Sequence, residues 1–302
     1  MIAKVPSIFR IRVKSEKKLI KMPTTLYMIL TNTRFMIGFA ILLGVSLFGI
    51  IGPLMYQRDP FAIVGRRLAP PSKEFPLGTD VLGRDVLALL MVGVRTSLYV
   101  GLLTALFAVA IGISAAVLAV AFPGIVDDVI MAIINFFLSI PSTLLALIFA
   151  FYSPIRSFEV IAFIIALTGW PGFARSLRAR LLSLKELDYI YLSRVSGLST
   201  IRIVLEDMLP GLMPYILIGF ASHVDDGILG EATLSLLGLQ PQGTKVYSLG
   251  LMLQQAQGMG AIRMGVWWWF VPPGAITTLV LISLLLISTS LDEIFNPRLR
   301  KG

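Results

Sequence analysis

The sequence predicts an all-α polytopic membrane protein with six transmembrane helices. Three observations carry that expectation. The 302 residues are 56% hydrophobic and only 14% charged, with a mean hydropathy of +0.86, which ordinary soluble domains do not reach. Four stretches, 35–57, 96–126, 129–155 and 264–291, contain no Asp, Glu, Lys or Arg, and each supplies the roughly 20 residues that a spanning helix needs. The net charge of +9 is unevenly placed: residues 1–34 carry eight Lys or Arg, 175–202 carry six and 298–301 carry three. Because Lys and Arg stay on the inner side of a membrane, both termini and 175–202 are expected on the cytoplasmic face of a bacterial or archaeal cell membrane. These residues flank apolar runs and form no soluble patch interleaved with aromatics, so the bilayer is the expected partner and nucleic acid is not. There is no Cys, which removes disulfides and thiolate metal sites.

In chain order, residues 1–34 read as a basic arm, of which 22–33 (MPTTLYMILTNT) suits a helix lying on the membrane surface. Residues 35–302 read as the membrane domain. The run at 35 is too long for the core of a cleavable leader and is expected to stay as the first span. Residues 58–95 form the first outer loop. Pro76 and Gly78 predict a turn there, and Thr79 or Asp80 is placed to cap the next helix. Gly83 suits close packing, with Arg84 and Asp85 at the water boundary. Spans two and three follow. The short runs 160–174 and 208–224 become spans four and five if their polar ends reach an interface or a cavity. In the last outer loop, about 237–263, Gln254 and Gln255 read as solvated. Trp267, Trp268 and Trp269 open span six as an interface anchor. Pro141, Pro171, Pro272 and Pro273 predict kinks.

One polar interruption, 185–210 (KELDYIYLSRVSGLSTIRIVLEDMLP), separates spans four and five on the basic face. It is too polar for lipid and too short for a catalytic domain, so it reads as a docking knob built of short helices around Gly197. The stretch resembles the coupling loop of importer-type ABC transporter permeases, whose pattern is Glu-Ala-Ala, three residues, Gly, then Leu-Pro after a fixed gap. Residues 75–101 (FPLGTDVLGRDVLALLMVGVRTSLYVG) resemble, through Gly78-Thr79-Asp80 and Gly83-Arg84-Asp85, the outer-face motif of the C-type permease subunit of dipeptide, oligopeptide and nickel ABC importers. Residues 168–190, 228–242 (ILGEATLSLLGLQPQ) and 291–302 (LDEIFNPRLRKG) resemble later parts of the same family in the same order.

The resemblance implies a type I ABC importer permease fold, with a coupling loop at about 185–207. It implies a heterodimer with a B-type permease, two cytoplasmic ATPase subunits and an extracytoplasmic binding protein. The imported solute would be a peptide, nickel or an oligosaccharide. ATP and Mg would sit on the ATPase subunits, with no cofactor on this chain. The implied coupling residues are Tyr191, Leu192, Ser193, Arg194, Gly197, Leu198, Ser199, Thr200, Arg202 and Pro210. Two departures stand out. Tyr191-Leu192-Ser193 occupies the Glu-Ala-Ala positions, and Ala132 and Asn135 stand where the family commonly has an Arg and an Asp.

Asp225 and Asp226 lie near the middle of the fifth span, read as about 212–236. An Asp there costs on the order of 3 kcal/mol on the insertion scale and is tolerated only facing a cavity or a partner. Gly219, Ser222, Asp226 and Gly230 share one helical face, which suits either close packing on a partner permease or a water-filled path. Asn135, Asp225, Asp226 and Glu231 are the translocation-path candidates, with helix-end packing the favoured reading for Glu231. His223 is the only His, so a metal site would rest on carboxylates alone. No Gly-x-x-x-x-Gly-Lys-Ser/Thr, Gly-x-Ser-x-Gly or His-Glu-x-x-His motif occurs, so the chain is not expected to be an enzyme. The alternative is a secondary, proton-coupled transporter using Asp225 and Asp226, which the lack of a visible inverted repeat disfavours.

Overall fold

The computed structural model describes residues 24–155, 157–241 and 247–295; most of the basic arm and the end of the C-terminal motif lie outside them. A short helix α1 (Thr24–Thr31) precedes α2 (Thr33–Met55), whose first turn is capped by Asn32 accepting from the Phe35 amide. Then come α3 (Val86–Ala121), α4 (Ile125–Leu138), α5 (Ser142–Tyr152) and α6 (Phe158–Lys185). The knob is α7 (Asp188–Val195) and α8 (Thr200–Ile203), continued by a π turn and a 3₁₀ turn to Leu212. The chain closes with α9 (Met213–Leu236), α10 (Leu249–Gly258) and α11 (Trp267–Phe295).

Helices α2, α3, α6, α9 and α11 belong to segments long and apolar enough to cross a membrane. The remaining crossing is α4 with α5, bent by 91° between them. The bend follows from Pro141, which lacks an N–H and disfavours helix at the residue before it. The six-span expectation therefore holds, with one span broken.

The boundaries moved in two places. Helix α3 starts at Val86, so the first outer loop ends well before residue 95. A single charged residue, Arg95, does not stop a helix, and Asp85 caps α3, not Thr79 or Asp80: its carboxylate accepts from the amides of Leu87 at 2.9 Å and Ala88 at 3.4 Å. Helix α6 extends beyond the uncharged run 160–174 at both ends, carrying Arg175, Arg178 and Arg180 along its last turns.

Helix α3 is the central post, packed along α6 and α9, while α2 lies outside against α11 and α3. The three central helices meet through small residues. Phe173 of α6 enters a slot between α3 and α9: a Cβ on Gly112 would stand 2.5 Å from its ring, and one on Gly219 2.4 Å. Gly227 of α9 sits against Gly101 and Thr104 of α3 in the same way. Lipid chains are as apolar as side chains, so such contacts and not hydrophobic exclusion hold spanning helices together. The small-residue face of α9 thus packs on this chain's own α6. The large exposed apolar side chains, such as Leu54, Leu106 and Leu285, lie on the outside of the bundle.

Replacing Gly112 or Gly219 by Leu is expected to force Phe173 out of its slot and cost about 1–3 kcal/mol. Gly172→Ala, whose Cβ meets open space, should be neutral or slightly stabilising. Thermal unfolding of the purified chain in detergent checks the ordering.

Candidate functional site

Three assemblies carry the polar residues. At one end of the bundle, residues 58–85 fold onto the tops of α3, α10 and α11. Gly78 and Gly83 have φ of +63° and +82°, and a Cβ on either would stand 2.4 Å from a backbone oxygen, that of Ala69 or Gly65. Only glycine fits such turns. Thr79 is buried, donating its hydroxyl to the Arg66 carbonyl and accepting from the Ala69 amide. Asp80 accepts from the amides of Leu82 and Arg84, both at 2.8 Å, and from Arg84 Nε at 2.7 Å. The Arg84 guanidinium also donates to Gln255 Oε1 at 3.1 Å and lies over the Tyr247 ring. Asp85 accepts from the Tyr56 hydroxyl at 2.5 Å and has Arg58 at 3.6 Å. Burial, and then the bond to Asp85, pushes the Tyr56 hydroxyl up to about 12, which keeps it the donor.

Several sequence expectations are corrected here. Arg84 and Asp85 are not at the water boundary but buried. Gln255 is not solvated; it accepts from Arg84 and Tyr247. Of the three tryptophans only Trp267 is exposed. Trp269 is fully buried, and Trp268 Nε1 donates to the Thr79 carbonyl at 3.3 Å. Glu231 lines no open path and takes the helix-end packing role instead. It is fully buried, and its Oε1 accepts from Ser235 at 2.7 Å and Ser248 at 2.6 Å. Ser248 caps α10 in turn, so Glu231 fastens α9 to α10.

At the opposite end the knob has two sides. Ile190, Ile203, Val204 and Met208 are buried with Val117, Leu177 and Leu181 of α3 and α6. Tyr191, Leu192 and Val195 are 63%, 65% and 67% exposed, an apolar surface that a monomer has no reason to leave bare. Ser193 donates to the Tyr189 carbonyl, and Arg202 pairs with Glu206 at 2.9 Å. Gly197 has φ +81°, and its amide reaches the Arg194 carbonyl at 3.1 Å, the left-handed stop expected after a helix. Leu198 and the exposed Ser199 and Thr200 lead into α8, and Pro210 lies in the 3₁₀ turn.

Between the ends, the broken span is tied to α6. Arg178 donates Nε and a terminal nitrogen to the Asp127 carboxylate, and Arg175 donates to Asn135 Oδ1. Asn135 thus binds α6 and does not line the cavity beside it. That cavity, of about 320 Å³, lies between α4, α5, α6 and α9 and has Asp226 on its wall. His223 Nδ1 stands 3.0 Å from the Asp226 carboxylate, with the Phe173 ring edge-on to the imidazole. Asp225 lies beside it, half-buried, with Oδ1 unpaired among the described residues. Sequence reasoning missed His223 as Asp226's partner and missed Ser142, Thr143 and Thr168 on the cavity wall. The available signal was Pro141, which marks where a spanning helix opens its N-terminus.

Residues 108–301 match the family described as binding-protein-dependent transport system inner membrane component. The chain belongs to this family. It is 30% identical over 275 residues to the dipeptide transport system permease protein DppC of Bacillus subtilis, covering 89% of this chain and 83% of that protein. It is 29% identical over 273 residues to the oligopeptide transport system permease protein OppC of the same organism, covering 90% and 88%. The resemblance to C-type permeases is borne out. Among solved structures, the MetNI methionine ABC transporter in inward-facing conformations matches with a TM-score of 0.52 at 23% identity, over 68% of this chain and 94% of that one; this supports the permease fold. Family membership leaves the proton-coupled secondary transporter without support.

Asp80→Ala strands the buried Arg84 guanidinium and is expected to cost about 3 kcal/mol, more than removing both partners in Asp80→Ala/Arg84→Leu. A double-mutant cycle on thermal unfolding, completed by Arg84→Leu alone, checks it; a double-variant loss equal to the sum of the two single losses would show that the pair is not coupled.

Proposed function

We propose that the chain is one of two permease subunits in an ATP-driven importer of peptides. The names of its relatives favour peptides over the other solutes of the wider family. The observation that carries the reading is the two-sided knob: its inner side is built into α3 and α6, and its outer side offers Tyr191, Leu192, Val195 and Arg194. Such a surface fits the groove of a cytoplasmic ATPase subunit, two of which would hold ATP and Mg. The missing acid at position 191 leaves this contact mainly apolar. The capped end, residues 58–85 with α10, then faces outward and receives a solute-loaded binding protein. A B-type permease covers the remaining side of the bundle and completes the path, to which Asp225 and Asp226 contribute from α9.

Closure of the ATPases would push the knob. Helix α6 runs from the cavity at Thr168 to the knob at Lys185 without a break, so the push reaches the cavity wall. Through Arg175 and Arg178 it also reaches α4, and the bend before Pro141 absorbs the change.

Gly197→Pro demands φ near −65° where the chain has +81°. In the reconstituted complex it is expected to abolish substrate-stimulated ATP hydrolysis while the chain still inserts and co-purifies. Stimulation equal to that of the unaltered complex would remove the coupling role. Topology is checked separately on this Cys-free chain. A single Cys at Ser199 should react with an impermeant thiol reagent only from the cytoplasmic side, and one at Ser72 only from outside. Labelling of Ser199→Cys from outside would overturn the orientation.

A further inference from the structure

The cavity beside Asp226 has a composition that the permease fold alone does not require. It lies about 20 Å along α9, near the middle of the span. Its walls are mostly apolar, with Ser142, Thr143, Thr168 and Thr233 adding hydroxyls. Among the described residues one carboxylate, Asp226, lines it, and no Lys or Arg does. The hydroxyls of Thr168 and Thr233 already donate to carbonyls of their own helices, so neither neutralises the acid. Arg175 and Arg178, the nearby cations of α6, are engaged by Asn135 and Asp127 of α4. Among the described residues the one group held to Asp226 is His223, whose imidazole meets the Phe173 ring edge-on. A half-exposed carboxylate fixed in this way at membrane depth awaits a cation.

We propose that this cavity is a subsite for the ammonium end of the transported solute, with Asp226 as its counter-charge and the specificity-determining residue. The inference rests on the importer reading above and adds the chemistry the path selects. The second wall fits the same solute. Helix α5 starts at the break, and no side chain caps it; the Leu144 and Leu145 amides donate to the Pro141 carbonyl, which leaves the amides of Ser142 and Thr143, both on the cavity wall, to meet a carbonyl or carboxylate oxygen. Interrupted spanning helices place such ends toward anionic groups of their cargo. The volume of about 320 Å³ suits one terminal residue of a peptide and not a whole long chain.

The test uses the whole importer in proteoliposomes: this chain with its partner permease, ATPase subunits and binding protein. Uptake of labelled alanyl-alanine and trialanine is compared with that of their N-acetyl derivatives. The unaltered complex is expected to carry the free-amine peptides at least about tenfold faster, the size of one charge-assisted hydrogen bond. Asp226→Asn should remove most of that ratio while co-purification with the partner permease stays unchanged. Asp226→Glu should restore it. Gly172→Leu, which extends into the cavity from a position free of contacts, should slow uptake of both peptide types alike.

An unchanged ratio in Asp226→Asn would overturn the subsite. So would an equal loss for free and acetylated peptides, which marks a packing residue. Loss of the partner permease from the Asp226→Asn complex would assign Asp226 to the subunit interface and overturn the subsite as well. Absence of ATP-dependent uptake of any peptide by the unaltered complex would sink the importer reading itself, and this proposal with it.

Discussion

The insertion of Phe173 between Gly112 and Gly219 is the contact on which the rest of the bundle depends. It fixes the spacing of α3, α6 and α9 at one level. In lipid there is no reward for hiding apolar surface, so the helices stay together through close dispersion contacts. A ring flanked by a glycine along each of two opposite edges, Cδ1/Cε1 and Cδ2/Cε2, supplies many of them. The same ring stacks on Tyr215 toward the knob and meets His223 edge-on toward the cavity. One side chain therefore touches the apolar cluster under the knob and the partner of Asp226.

Around this post the polar groups sort into two kinds. Asp80 and Asp85 are fully buried and satisfied by amides, a hydroxyl or an arginine, and Glu231 is fully buried and held through Oε1 by two serine hydroxyls, with Oε2 unpaired among the described residues. A buried charge persists only with such partners. These residues fasten the loop 58–85 and helix α10 to the spans and build a rigid platform. Asp225 and Asp226 differ. Both lie mid-span, neither has a Lys or Arg partner among the described residues, and Asp226 opens to a cavity. The separation of anchoring carboxylates from an open one follows from geometry alone.

Much of this was legible in the sequence. Uncharged runs located the spans, because length and composition alone decide whether a helix crosses a membrane. The knob was legible because polar residues between two spans have nowhere else to go, and Gly197 marked its turn. What stayed hidden depends on residues far apart in the chain. That Gln255 receives Arg84, that Trp268 reaches Thr79, and that Glu231 meets Ser248 are tertiary facts with no local pattern. Helix α3 outran its expected start for the same reason: an uncharged window measures lipid contact, whereas a helix continues wherever its amides are satisfied and begins where Asp85 caps it. The family's wording Gly-Thr-Asp, two residues, Gly-Arg-Asp pointed to an important place, but its role is to fold the platform.

The break at 139–141 joins these threads. A bilayer gives no hydrogen bonds to backbone groups, so an interrupted helix survives at membrane depth only where protein or a water-filled cavity receives its ends. Here the interruption opens beside the cavity that has Asp226 on its wall, and the half-helix before it is clamped to α6 by Arg175 and Arg178. A straight helix in this position would pack more simply and leave no free amides. The bend therefore costs stability that the bundle has to offset elsewhere, in the Phe173 slot and the Gly101–Gly227 contact. That cost is coherent if the broken span is both the wall that meets the cargo and the element that yields when α6 is moved by its knob. A single helix then links the exposed surface at one end to the carboxylate at mid-depth, and the hinge lies between the two parts that must move relative to each other.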